Sequence, residues 1–516
     1  MPNLIVRFRA LVGAVLFVAG AETACTRSEE VDTAPWVATD EPPPTAAVSR
    51  RLTREELSGT FRSLLGVVPE NLSRLPADSS ETGAAEPPVS LFEVEVYREI
   101  ADEAARLAAP TLLRQWACDD DRACVEREAA AWIETAQRRA LTPDERASYL
   151  SYLTAHDEDG VRRLLDVVFQ APQFLYVVET RRGAWIGPWE LAARIAYVLW
   201  SEPPDEALRA AARSGELIDP VVLESHVRRM LDDPRAARNV GTTLARWVAP
   251  DLAVAAKAYS VYPQLDEVLR ASMTEQFEHF AALALAQSFT LRDLLTTRQA
   301  PVDKGLAKLL EARSEEAGWS VVTLAEPRFG LLTLPGVLSS RARADDSSPV
   351  QRGLLIRDAM LCQPMPDPPP GVAALPPPAS TGTTFRERLQ EHTTDPTCAS
   401  CHRLMDPLGF PFEIYDGIGR LRKNSQEIAT DGTLEGVTHP AEFADLQGLV
   451  EALLATPELT HCWASHWIAR LLGQPATRNA ALIEQVAASF AAEKPLRDII
   501  VEIATAPELR GLTLSL

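Results

Sequence analysis

The sequence has no second C-x-x-C, no G-x-S-x-G and no H-E-x-x-H. The first absence argues against a four-cysteine zinc site. The other two remove the serine-hydrolase elbow and the zinc-protease helix. No carboxylate pair stands out, so a hydrolase has no signal here. No repeat of fixed period runs through the chain. Bases are few against acids, 51 Lys and Arg to 72 Asp and Glu, a net charge of −21. That balance disfavours nucleic acid and anionic membrane as partners. No apolar run is long enough to span a bilayer, so no transmembrane span is expected in the mature chain.

The N-terminus carries an address. Arg7 and Arg9 precede the apolar run 10–21, which suits the core of a signal peptide, with a small-x-small cleavage site at Ala19-Gly20-Ala21. A lipid anchor at Cys25 is the competing reading, although Glu22 stands where an aliphatic residue is wanted. Either reading exports the chain to the periplasm or cell envelope. Residues 22–48 are polar and Pro-rich and read as a disordered tether.

The 516 residues are 46% hydrophobic, enough for several cores. Helical spacing dominates, and the expected class is mainly α. Thr53 with Glu56 spells a capping box, and Thr142-Pro143-Asp144-Glu145 spells another. The first helix should stop near Gly66. Five segments follow the tether: helical domains over 49–113, 114–180 and 181–320, a motif-bearing domain over 321–438, and a C-terminal helical domain over 439–516. Residues 364–378 hold two Pro triplets and read as a stiff spacer. A small hairpin is expected over 431–436.

The chemistry concentrates at Cys398-Ala399-Ser400-Cys401-His402, the C-x-x-C-H pattern of covalent c-type haem attachment. Residues three apart share one helix face, so both sulfurs can reach the two vinyl groups of one porphyrin edge. His402 then offers its imidazole to the iron as axial ligand. A redox dithiol, a disulfide or a metal site are the alternatives for the same cysteines. With haem, the chain reads as an electron-transfer protein or redox-enzyme subunit, and its acidic surface would suit a basic redox partner. The competing class is a haem-free envelope protein, structural or polysaccharide-binding, with the C-x-x-C oxidised.

No Met follows Met405, and Met405 lies too close to His402 to reach the opposite porphyrin face. The sixth ligand is therefore sought at His392 first, then at His439, His461, His466 or Met365. Asp406, Glu413 and Asp416 could tune the site, but Asp-Pro and Asp-Gly turns explain two of them as well. Arg420 and Arg422 could pair with haem propionates. The four other cysteines invite two disulfides outside the cytoplasm, Cys118 with Cys124 and Cys362 with Cys462.

Several blocks stand in a telling order: RLTREEL, RALTPDE with APQFLY, ELAARIAYVLWSEPPDEAL with RRMLDDPRAAR, SSPVQRGLLIRDAMLC, then HTTDPTCASCHRLMDPLGFPFEIYDGIGRLR and HCWASHWIARLLGQ. Together they resemble a large bacterial family of secreted proteins built from five consecutive domains of unknown function. Relatives are sometimes fused to a Planctomycete-type cytochrome c module. The resemblance implies an exported, cytochrome c-like protein and carries no substrate with it.

Overall fold

The computed structural model describes residues 47–511, except 77, 79–88, 119–120, 183–184, 251, 253–254, 315–317, 367–385, 388, 390–395 and 474–478. The expected leader over 1–21, Cys25, most of the Pro-rich spacer and His392 lie outside the described residues. The fold is mainly α, with a few short antiparallel strand pairs.

Two apolar cores organise it. The first gathers around the helices Arg54–Leu65, Leu91–Trp116, Arg122–Gln137 and Glu158–Gln170. Phe61, Phe169 and Phe174 meet at its centre, with ring centroids 5.1–5.5 Å apart. Each buried aromatic of this kind contributes roughly 1.5–3 kcal/mol by leaving water. Local signals start the helices as the sequence suggests. Thr53 and Glu56 close a capping box, and Gly66 ends that helix at φ +71°, a left-handed cap that costs glycine nothing. Thr142 and Glu145 close a second box at Pro143–Leu150.

A strand pair covers this core. Ala47–Arg51 runs antiparallel to Tyr176–Arg182. The first strand begins where the tether was expected to end, and its partner lies far along the chain. Neither its charge nor its length signals a strand.

Tyr197, from the helix Pro188–Trp200, joins the two halves. Its hydroxyl meets Thr60 Oγ1 at 2.9 Å and accepts from Arg138 at 3.1 Å. Arg138 also donates to the carbonyls of Gln173, Phe174 and Tyr176. The second core runs from Ile186 to Leu509. It packs Pro234–Val248 on Glu267–Ala286, and it takes in the C-terminal helices Pro457–Leu472, Ala480–Ala491 and Leu496–Thr505. The first two cross at Gly241, where an added Cβ would stand 2.6 Å from the Glu278 backbone.

The expected hairpin is wider than 431–436. Gly432–Leu434 pairs with Ala441–Phe443, so the turn spans six residues and Phe443 belongs to a strand. Both disulfides form as paired above, Cys118–Cys124 and Cys362–Cys462.

Glu145 yields a pH prediction. Arg139 donates to its two oxygens at 2.9 and 2.6 Å, and the Thr142 backbone N–H adds a third bond at 3.0 Å. The Arg139 bonds chiefly, then the Thr142 N–H, hold this carboxyl at about 2, against an ordinary value of 4.5. A carboxylate depressed in the fold stabilises it above the unfolded value, and that stability disappears as pH falls towards 2. Glu145→Gln should therefore be less stable than the parent at pH 6, with the gap closing between pH 4.5 and 2. Urea unfolding across that range reads the gap, and a gap constant with pH would refute the assignment.

Candidate functional site

Pro396–Gly409 is one helix carrying the whole C-x-x-C-H motif. Cys398 and Cys401 lie one turn apart on it, and His402 lies one turn from Cys398. Both thiols are partly exposed and unbridged. The other four described cysteines are all in disulfides. The oxidised C-x-x-C of the haem-free reading is therefore not what this structure contains.

Asp406 sits one turn beyond His402. Its oxygens lie 3.0 and 3.1 Å from His402 Nδ1. A carboxylate only accepts, so the proton of this bond is on Nδ1. Asp406 is buried, 4% exposed. Sequence reading weighed it as a turn residue before Pro407, but its side chain caps the imidazole instead. The i,i+4 spacing to His402 was the signal that could have shown this.

The far side of the motif helix is clamped. Its backbone approaches Pro349–Leu355 so closely that an added Cβ on Gly353 would stand 1.9 Å from Met405 O, and one on Gly409 1.9 Å from Pro349 O. Arg357 donates through Nε and Nη2 to Leu404 O at 2.9 and 2.8 Å, and also reaches Glu435 O. Met405 and Leu408 are buried. The helix is fixed along its buried side, and that fixes the directions of His402 and Asp406.

Beyond the helix, residues 410–422 wrap a buried guanidinium. Arg352 is 0% exposed and donates to the carbonyls of Phe412, Tyr415, Asp416 and Leu338 at 2.7, 3.0, 2.7 and 3.2 Å. Asp416 Oδ1 accepts from the backbone N–H of Ile418 and Arg420, so it builds the turn. Arg420 pairs with Asp416, and Arg422 pairs with Asp346 and Ser347. Both arginines offered for propionates thus make contacts that hold this loop, Arg422 half-buried and Arg420 44% exposed. Glu413 is likewise internal: Ser347 donates to it at 3.0 Å, and burial pushes its carboxyl above the usual range. Arg352 and Arg357 were not singled out from the sequence, where both read as ordinary helix residues.

The remaining ligand candidates are scattered. His392 lies outside the described residues. His439 is exposed. His461 bonds Pro457 O at 2.8 Å and Glu484 at 3.0 Å. His466 lies against Trp247 with the rings tilted by 36°, 4.6 Å between centroids, and its Nε2 is 3.5 Å from Cys362 Sγ. Met365 donates its backbone N–H to Asp358. Two clefts among the described residues lie elsewhere too. One of about 750 Å³ is lined by Arg54, Arg62, Arg238 and Arg246, and one of about 800 Å³ by Arg292, Phe329 and Leu446.

Three family models match the chain. PSCyt3, a protein of unknown function (DUF1588), matches residues 328–425 and so contains the motif helix. PSD4, a protein of unknown function (DUF1592), matches 186–311, and PSD3, a protein of unknown function (DUF1587), matches 50–110. Three such domains are therefore detected, in the order in which their blocks occur. No curated protein and no solved structure matches.

Proposed function

We propose that the chain binds one covalent c-type haem through Cys398, Cys401 and His402 and serves in one-electron transfer outside the cytoplasm. The observation that carries this is the motif helix itself. It presents two unbridged thiols on one turn, with an imidazole whose Nδ1 is tied to a buried carboxylate. That donor set fits the group: the two S–H groups would each add across one vinyl C=C, the sulfur to one carbon and the hydrogen to the other, and His402 would hold the iron through Nε2. Bound there, the haem would supply a one-electron iron couple. The protein's part is to hold the imidazole's tautomer and direction through Asp406 and to fix the helix through Arg357.

Context supports the address. Two disulfides suit an oxidising compartment, where c-type haem is attached. Among the described residues no helix is long and apolar enough to cross a membrane. The net charge of −21 favours a basic redox partner.

Protein co-produced with haem-attachment machinery should give a pyridine haemochrome spectrum of one haem per chain that survives acid–acetone extraction. The Cys398→Ala/Cys401→Ala variant should lose it entirely. Stoichiometric extraction of haem from the parent, or no haem at all, would end this reading.

A further inference from the structure

The acceptor on His402 has a consequence for the iron. We infer that Asp406 is a positioning residue that gives the proximal imidazole partial imidazolate character and holds the site at low reduction potential. This rests on the haem reading above and adds to it the sense of electron flow: a site built to give electrons to a partner of higher potential.

The argument starts from the bond. A hydrogen bond to a carboxylate is roughly twice as strong as one between neutral groups. It draws the Nδ1 proton away, so electron density rises at Nε2 and the imidazole becomes a better donor. Ferric iron carries one more positive charge than ferrous iron and gains more from a strong donor. The ferric state is stabilised and the potential falls. Burial magnifies the effect, because Asp406 is 4% exposed and the His402 side chain 16%. The negative charge of Asp406 acts in the same direction through space.

The geometry is built rather than incidental. Both carboxylate oxygens lie within 3.1 Å of Nδ1, so a small rotation does not break the contact. The backbone flanking Asp406 is pinned on both sides. Arg357 holds Leu404 O from one helix, and the strand Gly432–Leu434 passes so close that a Cβ on Gly432 would stand 2.4 Å from Pro407 O. Asp406 cannot swing away without moving that packing.

Two variants separate charge from shape. Asp406→Asn keeps an acceptor of the same size without the charge, and Asp406→Ala removes the acceptor. Spectroelectrochemical titration of the haem-loaded protein should show the midpoint potential rising in Asn and rising further in Ala, with the haem content of both unchanged. An unchanged potential in both variants overturns the inference and leaves the haem reading intact. Absence of covalent haem from the parent overturns both together.

A second measurement needs no haem. In protein labelled with ¹⁵N-histidine and made without attachment machinery, His402 should be the Nδ1–H tautomer, assigned by its loss in His402→Gln. Asp406→Ala should move it towards Nε2–H. An Nε2–H tautomer in the parent would overturn the role given to Asp406.

Discussion

Arg352→Met should cost roughly 2 kcal/mol or more of stability, at about 1–3 kcal/mol for each buried polar group left without a partner. Met matches the stem of arginine but takes the donors from the carbonyls of Leu338 and Tyr415 at a site that water does not reach, while those of Phe412 and Asp416 keep the backbone N–H of Tyr415 and Gly419. Glu413, 3.9 Å away, would lose its nearest cation as well. Arg352→Lys restores a charge but offers a compact ammonium in place of a planar fork, so it should recover only part of the loss. Urea unfolding followed by near-UV circular dichroism reads all three proteins. A Met variant within about 1 kcal/mol of the parent, the usual range for a harmless substitution, would show that the guanidinium is replaceable. The effect should extend to the motif, because Arg352 packs the loop that follows the motif helix, and Gly353 beside it touches Met405.

Local signals were legible and distant ones were not. The capping boxes at Thr53 and Thr142 are complete within four residues, so nothing outside the segment can hide them. The disulfides were legible because an even set of cysteines in a chain read as exported leaves few pairings. The strand Ala47–Arg51 was not, because its partner stands at Tyr176–Arg182 and five residues ending in two arginines carry no alternation. Arg352 and Arg357 were missed for a related reason. A buried arginine is written like a surface one, and only the fold shows that its donors meet carbonyls instead of water. The helix around them also departs from the regular pattern. It passes into a π turn at Ile356–Met360, so the positions facing the motif helix fall outside 3.6-residue spacing. Asp406 is the intermediate case: its spacing from His402 was visible, but the following Pro407 offered a simpler turn reading that the structure replaces.

The two disulfides should differ in worth, and the difference bears on the motif. In the chain-entropy account, closing a loop of about 100 residues stabilises by about 4.7 kcal/mol, and closing one of about six by roughly 2 kcal/mol. Cys362–Cys462 spans 100 residues and Cys118–Cys124 spans 6. The larger loop contains the motif helix, the Arg352-bound segment and the hairpin, and it joins them to Pro457–Leu472. Cys362→Ala/Cys462→Ala should therefore lower the unfolding transition more than Cys118→Ala/Cys124→Ala does. Cys462 is 2% exposed, so alanine there adds a small packing loss to the entropic one. Hydrogen exchange locates the effect: amides of 396–409 should exchange faster in the first variant and keep parental rates in the second. Equal destabilisation by the two variants, with unchanged exchange at the motif helix, would mean that the Arg352 and Arg357 contacts alone hold that helix and that the long-range crosslink is dispensable to the site.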